Sequence, residues 1–342
     1  IEAGDDLTFS TFDYDTAATA AVPTLGANPG RALVSHRLLA QIASSIRTGD
    51  VVIEADQASV VVTSGRAEWR LPTMILEDYP TLPTVSEPWA ELDADDLITA
   101  VEATGPAASD KQTTPPVDVV QIACAGGHLT FAAIDGYRVH TAVAPAKDWA
   151  QGFVLVNARR LLGIVKHLHG PVIIARAEGL LRFTDARCSL STTLADASQG
   201  WNDWQKLLTA CENSTKATAE LDREEFAQAV RQVVAFTDES VKGFRHVELT
   251  FTSDELVLTG SSAGGSGTAA VSSEQDGPGL RMVCNAPYLL DALAACRHER
   301  VRLLFSGPTR AVGVCDGDGP VTLAVMPVRV DRAAWLDERD AA

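Results

Sequence analysis

The chain has 342 residues, 46% of them hydrophobic, and a formal net charge of −17 with a pI near 4.8. That length supports two or three domains with real cores. The acidic balance argues against a conventional nucleic-acid binder, whose basic patch dominates its total charge, but leaves room for basic residues gathered on one face. Six cysteines (Cys124, Cys188, Cys211, Cys284, Cys296 and Cys315) never fall at C-x-x-C spacing, and most sit among apolar neighbours, as buried reduced thiols do. No apolar run approaches the roughly 20 residues of a membrane span, and no signal peptide opens the chain, so a cytoplasmic protein is expected.

The chain opens on "IEAGDDLTFSTFDYD", already in strand-like alternation, as if inside a domain. "ALVSHRLLAQIASSI" (32–46) then runs from a short apolar strand into an amphipathic helix, with Ser35 at the N-cap. Alternating strands follow in "VVIEADQASVVVTS" and "EWRLPTM" (68–74), and the Pro-rich "PTLPTVSEP" (80–88) marks a boundary. "LDADDLITAV" (92–101) is a helix capped by Asp93, with acids in its first turn. After it come paired strands around Asp135-Gly136, the strand–helix element "VLVNARRLLGIVKHL" (154–168) capped by Asn157, "VIIARAEGLLRFT", and "RCSLSTT" (187–193). The polar stretch "LTACENSTK" (208–216) reads as a second boundary. The order then recurs: "LDREEFAQAV" (221–230) capped by Asp222, "VELTFTSDELVLTG", "RMVCNAPYLLDALAA" (281–295) capped by Asn285, and "VTLAVMP" (321–327).

The three strand–helix elements lie 122 and 128 residues apart, and the two Asp-capped helices 129 apart. Repeats of this length are whole domains. Each is α+β, with short antiparallel strands and two helices that bury one face on the sheet. The expected domains are residues 1–86, 87–210 and 211–332, with a C-terminal tail at 333–342. The counterpart of the Asp93 helix in the first copy would fall before residue 1, so that copy is expected to lack its N-terminal strand and first helix.

The second helix of each copy has an unusual composition. Residues 35–47, 157–168 and 285–297 hold a single acid, Asp291, where the chain average would place about five. They carry Arg37, Arg47, Arg159, Arg160, Lys166 and Arg297. In 157–168 the apolar Leu161, Ile164, Val165 and Leu168 share one face, and Arg159, Arg160, Lys166 and His167 the other. Side by side, three such faces would make a basic surface on an acidic body.

"AAIDGYRVHTAV" (132–143) crowds Asp135, Tyr137, Arg138 and His140 into six positions. Asp-Gly between alternating runs is a hairpin signal, because Gly accepts φ > 0. Adjacent Asp and Tyr at a tight turn project to different sides, which suits a binding rim better than a catalytic pair. No H-E-x-x-H, G-x-S-x-G, Walker A loop or metal-spaced His cluster occurs, so neither an enzyme nor a metal or other cofactor is expected.

The three repeats, "LPTM…EDYPTLP" (71–83), "DGYR" (135–138) and "VMPVRV" (325–330) together resemble the bacterial DNA polymerase III beta subunit, the sliding clamp, in its actinobacterial form. The resemblance implies a DNA-clamp fold: three domains per chain, and a head-to-tail homodimer forming a pseudo-sixfold ring with helices lining the hole. The basic helix faces would then meet encircled double-stranded DNA through sequence-independent phosphate contacts. It also implies a pocket between the second and third domains for short peptides of partners: the DNA polymerase III catalytic subunit, the clamp loader and other proteins with a clamp-binding motif. Carried over by motif, that pocket takes Ile134, Gly136, Tyr137, Arg138 and Val139 from one strand, and Ala324, Met326, Pro327, Val328 and Arg329 from the C-terminal strand. Val117 and Thr209 would flank it.

The family usually has Thr at the position of Ile134, Leu at Val139, Pro at Thr209 and a larger aliphatic residue at Ala324. These changes keep a duplicated or phage-type clamp with altered partner or inhibitor specificity open as an alternative, alongside a DNA-independent oligomeric scaffold. Trp335 and Leu336 of the tail would sit near the pocket edge. The implied dimer contact sets Trp69 and Leu71 against Ala270 and Val271 of a second copy.

Overall fold

The computed structural model describes residues 1–111, 113, 116–201, 203–237, 245–252, 254–319 and 321–329; the tail with Trp335 and Leu336 lies outside them. Its fold is α+β, with antiparallel sheets and few helices, as the repeats predict. The chain divides into two compact units, one holding 1–94 and 166–194, the other 95–165 and the residues from 195 onward. This division passes through the expected middle domain at 87–210. The units follow the sheets, and the sheets run across the expected domain borders.

In the first unit, Pro88–Asp93, Pro171–Ala177, Leu180–Thr184 and Cys188–Thr193 form one sheet with Thr16–Pro23, Asp6–Phe12, Glu2–Ala3 and Gly30–Arg31, in that order. A smaller sheet of Val52–Ala55, Ser59–Ser64 and Ala67–Pro72 packs its apolar face with Ala32, Val34 and Ile42. The second unit carries a twelve-stranded sheet from Gly152–Asn157 at one edge to Arg281–Asn285 at the other. Near its middle, Arg138–Pro145 pairs with Val321–Val325, in register Arg138↔Val325 and His140↔Leu323. Cys188–Thr193 pairs with Thr16–Pro23 in the same way, with Thr192↔Thr16 and Leu190↔Ala18.

The described residues form six α-helices: α1 (His36–Ser45), α2 (Ala94–Thr104), α3 (Ala158–Val165), α4 (Trp204–Asn213), α5 (Arg223–Val234) and α6 (Ala286–Ala295). All five expected helices are among them; α4 falls on residues read from sequence as a polar boundary. The expected N-caps sit at the right positions. Asn157 accepts from Arg160 N–H at 3.1 Å and Asp222 from Glu225 N–H at 2.8 Å, whereas Ser35 and Asn285 make no side-chain cap bond. α1, α3 and α6 end earlier than expected, so Arg47, Lys166 and Arg297 lie one or two residues beyond the helix ends. Cations there complement the negative end of the helix dipole.

One closing contact recurs three times. Met74 N–H donates to Leu33 C=O at 2.8 Å, Ala195 N–H to Leu155 C=O at 2.8 Å, and Val328 N–H to Val283 C=O at 2.7 Å. These positions are related by the repeat, so each copy ties its last segment back to the strand that feeds its second helix. The hairpin turns share chemistry too. Asp13, Asp56, Asp135 and Asp185 each accept the N–H groups two and three residues on, which fixes the turn without help from the rest of the fold.

The core of the third copy is a two-helix layer on a sheet. Phe226, Val230 and Val233 of α5 and Leu289 and Leu293 of α6 bury against Leu249, Leu258 and Phe305, with the Phe251 and Phe305 rings 4.3 Å apart. α5 approaches the strand Glu255–Ser262 so closely that a Cβ on Gly260 would stand 2.2 Å from Val233 C=O. Glycine is required there by space.

Candidate functional site

The turn at 135–138 sets up the site. Asp135 Oδ1 accepts from Tyr137 N–H at 2.9 Å and Arg138 N–H at 3.0 Å, and Gly136 takes φ +87°, where a side chain would be strained. Tyr137 C=O in turn accepts from Met326 N–H at 2.7 Å. That bond carries the pairing one residue beyond Val321–Val325 and places the two side chains on adjoining backbone. Tyr137 is 56% exposed and Met326 37%. Large apolar side chains left in water at adjoining positions make this strip a candidate docking feature.

Under this strip lies a small apolar cluster in which Ile134, Val139 and Ala324 are joined by Leu208 and Cys211 of α4 and by Leu304 and Cys315. Trp201 and Trp204 pack on its margin. α4 is held by Asp203, whose Oδ1 accepts Lys206 N–H at 3.2 Å, and by Trp204 Nε1–H donating to Gln121 Oε1 at 2.9 Å. Leu207 of α4 is 45% exposed.

The expected pocket residues therefore separate into groups. Tyr137 and Met326 present side chains at the surface, whereas Ile134, Val139 and Ala324 form a buried floor. Thr209 and Arg329 are exposed, Pro327 is buried, and Val328 is half-buried with its N–H on Val283 C=O. Val117 is half-buried and its carbonyl accepts Ser109 N–H at 2.7 Å. Sequence reasoning missed Leu207, Leu208, Trp201 and Trp204. Their signal was present: Asp203 as a cap, then apolar residues at 204, 207, 208 and 211, the spacing of one helix face.

Arg138 was expected at a pocket rim, and its side chain goes inside instead. It is 9% exposed. Nε–H donates to Asp135 Oδ2 at 3.0 Å, Nη1–H to Asp291 Oδ2 at 2.5 Å and Nη2–H to Pro106 C=O, while the guanidinium carbon lies 4.1 Å from the Tyr288 ring centre. Five donors on a planar fork can meet partners from three elements at once, which a lysine cannot do. Two residues on, His140 is fully buried, with Nδ1 on Ala103 C=O at 2.9 Å and no partner for Nε2 among the described residues. Burial holds its pKa down to about 4, helped by the Arg138 charge and opposed by the Ala103 bond and Asp135.

Of the expected DNA-facing residues, Arg37, Arg47, Arg159, Lys166 and Arg297 are exposed and Arg160 is half-buried. Arg159 pairs with Asp110 at 2.8 Å, but both side chains are open to water, where such a pair contributes little. Asp291, the lone acid of these segments, is bound by Arg138. The expected dimer residues lie on two incompletely paired strands. Ala67–Pro72 pairs only with Ser59–Ser64, and Gly265–Asp276 pairs over 273–276 on one side, leaving that edge free through 265–272 among the described residues. Trp69 is half-buried, Leu71 and Val271 are buried, and Ala270 is exposed.

Residues 2–83 match the DNA polymerase III beta subunit, N-terminal domain, and residues 212–329 match the DNA polymerase III beta subunit, C-terminal domain. The chain belongs to the DNA polymerase III beta subunit family. The beta sliding clamp of Streptomyces coelicolor is 27% identical over 342 residues, covering 95% of this chain and 89% of that one. The beta sliding clamp of Micrococcus luteus is 26% identical over 259 residues, covering 74% and 81%. Both relatives are actinobacterial. The crystal structure of the DNA polymerase III subunit beta from Pseudomonas aeruginosa has the same fold, with a TM-score of 0.85 at 22% identity, covering 96% of this chain and 90% of that one.

Proposed function

We infer that this chain is a sliding clamp, a non-catalytic processivity factor of DNA replication that keeps DNA enzymes on their template. The observation that carries this reading is the family's own N- and C-terminal domains at the two ends of one thrice-repeated chain. Two chains close head to tail, joining the free edge of Ala67–Pro72 to that of Gly265–Asp276, with Trp69 and Leu71 on one side and Ala270 and Val271 on the other. The ring encircles double-stranded DNA, and Arg37, Arg47, Arg159, Arg160, Lys166 and Arg297 supply sequence-independent phosphate contacts. Topology holds the ring on, so a net charge of −17 is no obstacle.

The DNA polymerase III catalytic subunit, the clamp loader and other motif-bearing proteins dock extended peptides on the strip made by Tyr137 and Met326, over the floor of Ile134, Val139 and Ala324. Exposed aromatic and thioether side chains around a dry apolar floor suit aliphatic and aromatic anchors. The site of action is the bacterial cytoplasm.

The deciding experiment loads the protein onto nicked circular duplex with a clamp loader and follows its retention. Long residence on circles and rapid loss after linearisation are expected; equally fast loss from both would remove the encircling ring. Solution mass supplies the partner test, since a ring of two has twice the 36.2 kDa of the chain. For docking, Tyr137→Ala and Met326→Ala should each weaken a fluorescent peptide with Leu and Phe anchors by about tenfold, the scale of an interface hot spot.

A further inference from the structure

Arg138 and Tyr137 are consecutive on the strip, yet they face different parts of the molecule. Tyr137 stands in water, while the Arg138 guanidinium reaches inward to Asp135, to the Pro106 carbonyl in the short turn that follows α2, and to Asp291 and Tyr288 of α6. Asp291 is the one acid on the three acid-poor segments, and its side chain remains partly open to solvent in a shallow groove lined by Glu102 and Arg297. A free carboxylate there would oppose a polyanion. Arg138 binds it at 2.5 Å and Asp135 at 3.0 Å, so the three side chains together carry one negative charge instead of two.

We propose that Arg138 is a positioning residue with two outputs. It holds the turn that presents Tyr137 and receives Met326, and it offsets the charge of Asp291 on the DNA side of α6. Its side chain lies inside the fold, 9% exposed. This rests on the reading that Tyr137 and Met326 dock peptides and that α6 meets duplex DNA.

The test compares Asp291→Asn, Arg138→Met and the double variant in the full-length protein. Two affinities are read: that for the Leu/Phe-anchored peptide, and that for a short linear duplex across salt from about 50 to 200 mM. Asp291→Asn removes one negative charge beside α6 and leaves Arg138 paired with Asp135. It should strengthen duplex binding, steepen its salt slope by about one, and weaken the peptide about fivefold by releasing the turn from α6. Arg138→Met should weaken both ligands, and adding Asp291→Asn to it should restore duplex binding alone.

A merely structural arginine would move the melting temperature without that split between ligands. If Arg138→Met does not fold, Asp291→Asn decides by itself: unchanged affinities for both ligands would overturn the proposal. Equal loss of duplex binding in Arg138→Met and the double variant would overturn the charge-offsetting output. Tyr137→Ala serves as the control for the underlying reading. Native peptide binding in that variant would remove the docking strip itself, whatever Arg138 does.

Discussion

Where Thr16–Pro23 meets Cys188–Thr193, Asp13 holds the turn and Thr193 N–H donates to Asp15 C=O at 2.9 Å; where Arg138–Pro145 meets Val321–Val325, Asp135 holds the turn and Met326 N–H donates to Tyr137 C=O at 2.7 Å. The backbone plan is shared and the side chains are not. In the first seam Ser191 and Thr192 are buried, and Arg182 donates to Ser191 Oγ at 3.1 Å and to the carbonyls of Val85 and Pro83 in the segment before Pro88. In the second, the equivalents of Ser191 and Thr192 are Ala324 and Val325, α4 packs over the seam, and Arg138 reaches the helices. The repeated scaffold thus differs at the seam that carries the proposed docking strip. Apolar residues replace polar ones under the strip, and Arg138, whose counterpart in the first seam is Thr16, ties to the helix layer.

The largest break in this comparison should come from Arg138→Met. Removing one member of a buried ion pair leaves Asp135 uncompensated, at a cost of about 3–5 kcal/mol in urea unfolding. Arg182→Met removes hydrogen bonds to neutral acceptors, and should cost only about 1–3 kcal/mol. Equal losses at the two positions would erase the distinction between the seams. Next in size, Leu208→Ala empties part of the apolar cluster and should cost about 2–4 kcal/mol, with a parallel fall in peptide affinity.

Acid sharpens the contrast. His140 has Ala18 as its counterpart in the first seam. Its folded pKa of about 4 lies below an ordinary imidazole value of 6.5, so the unfolded chain binds the proton more readily. The stabilisation is complete above pH 6.5, declines as pH falls toward 4 and levels below that, by about 3 kcal/mol in all. His140→Leu should flatten stability across that window when melting is followed against pH. An unchanged slope would assign the acid sensitivity elsewhere. The smallest effects belong to the turns. Gly136→Ala forces a side chain to φ +87° and should cost about 1 kcal/mol, whereas Tyr14→Gly relieves the same strain at φ +72° and should come out near neutral, because the Phe12 ring contact at 5.3 Å is lost with it.

Much of this architecture is legible in the sequence. Period-two runs ending in Asp turns gave the hairpins, and the offsets between Ser35, Asn157 and Asn285 gave the threefold order, because both depend on local chemistry. α4 was hidden by its composition: Thr209, Glu212 and Asn213 make its outer face look like a linker, and only burial against the sheet separates Leu208 from Leu207. The inward turn of Arg138 was hidden for a related reason. Alternation along a strand says which side a residue takes, but not that a charged one finds Asp291, 153 positions away, to neutralise it. The basic segments were identified as such, although their last turns were assigned to helices that stop short of Arg47, Lys166 and Arg297.

The closing bonds at Met74, Ala195 and Val328 also order events in time. Each spans roughly forty residues, whereas the two seams join strands roughly 180 residues apart. Closing the longer loop costs about 1 kcal/mol more in chain entropy, and it must wait for the second partner to be synthesised. Each copy can therefore tie itself off as it leaves the ribosome, and the proposed docking strip, which needs residues 134–139 and 321–326 together, is among the last features of the chain to exist.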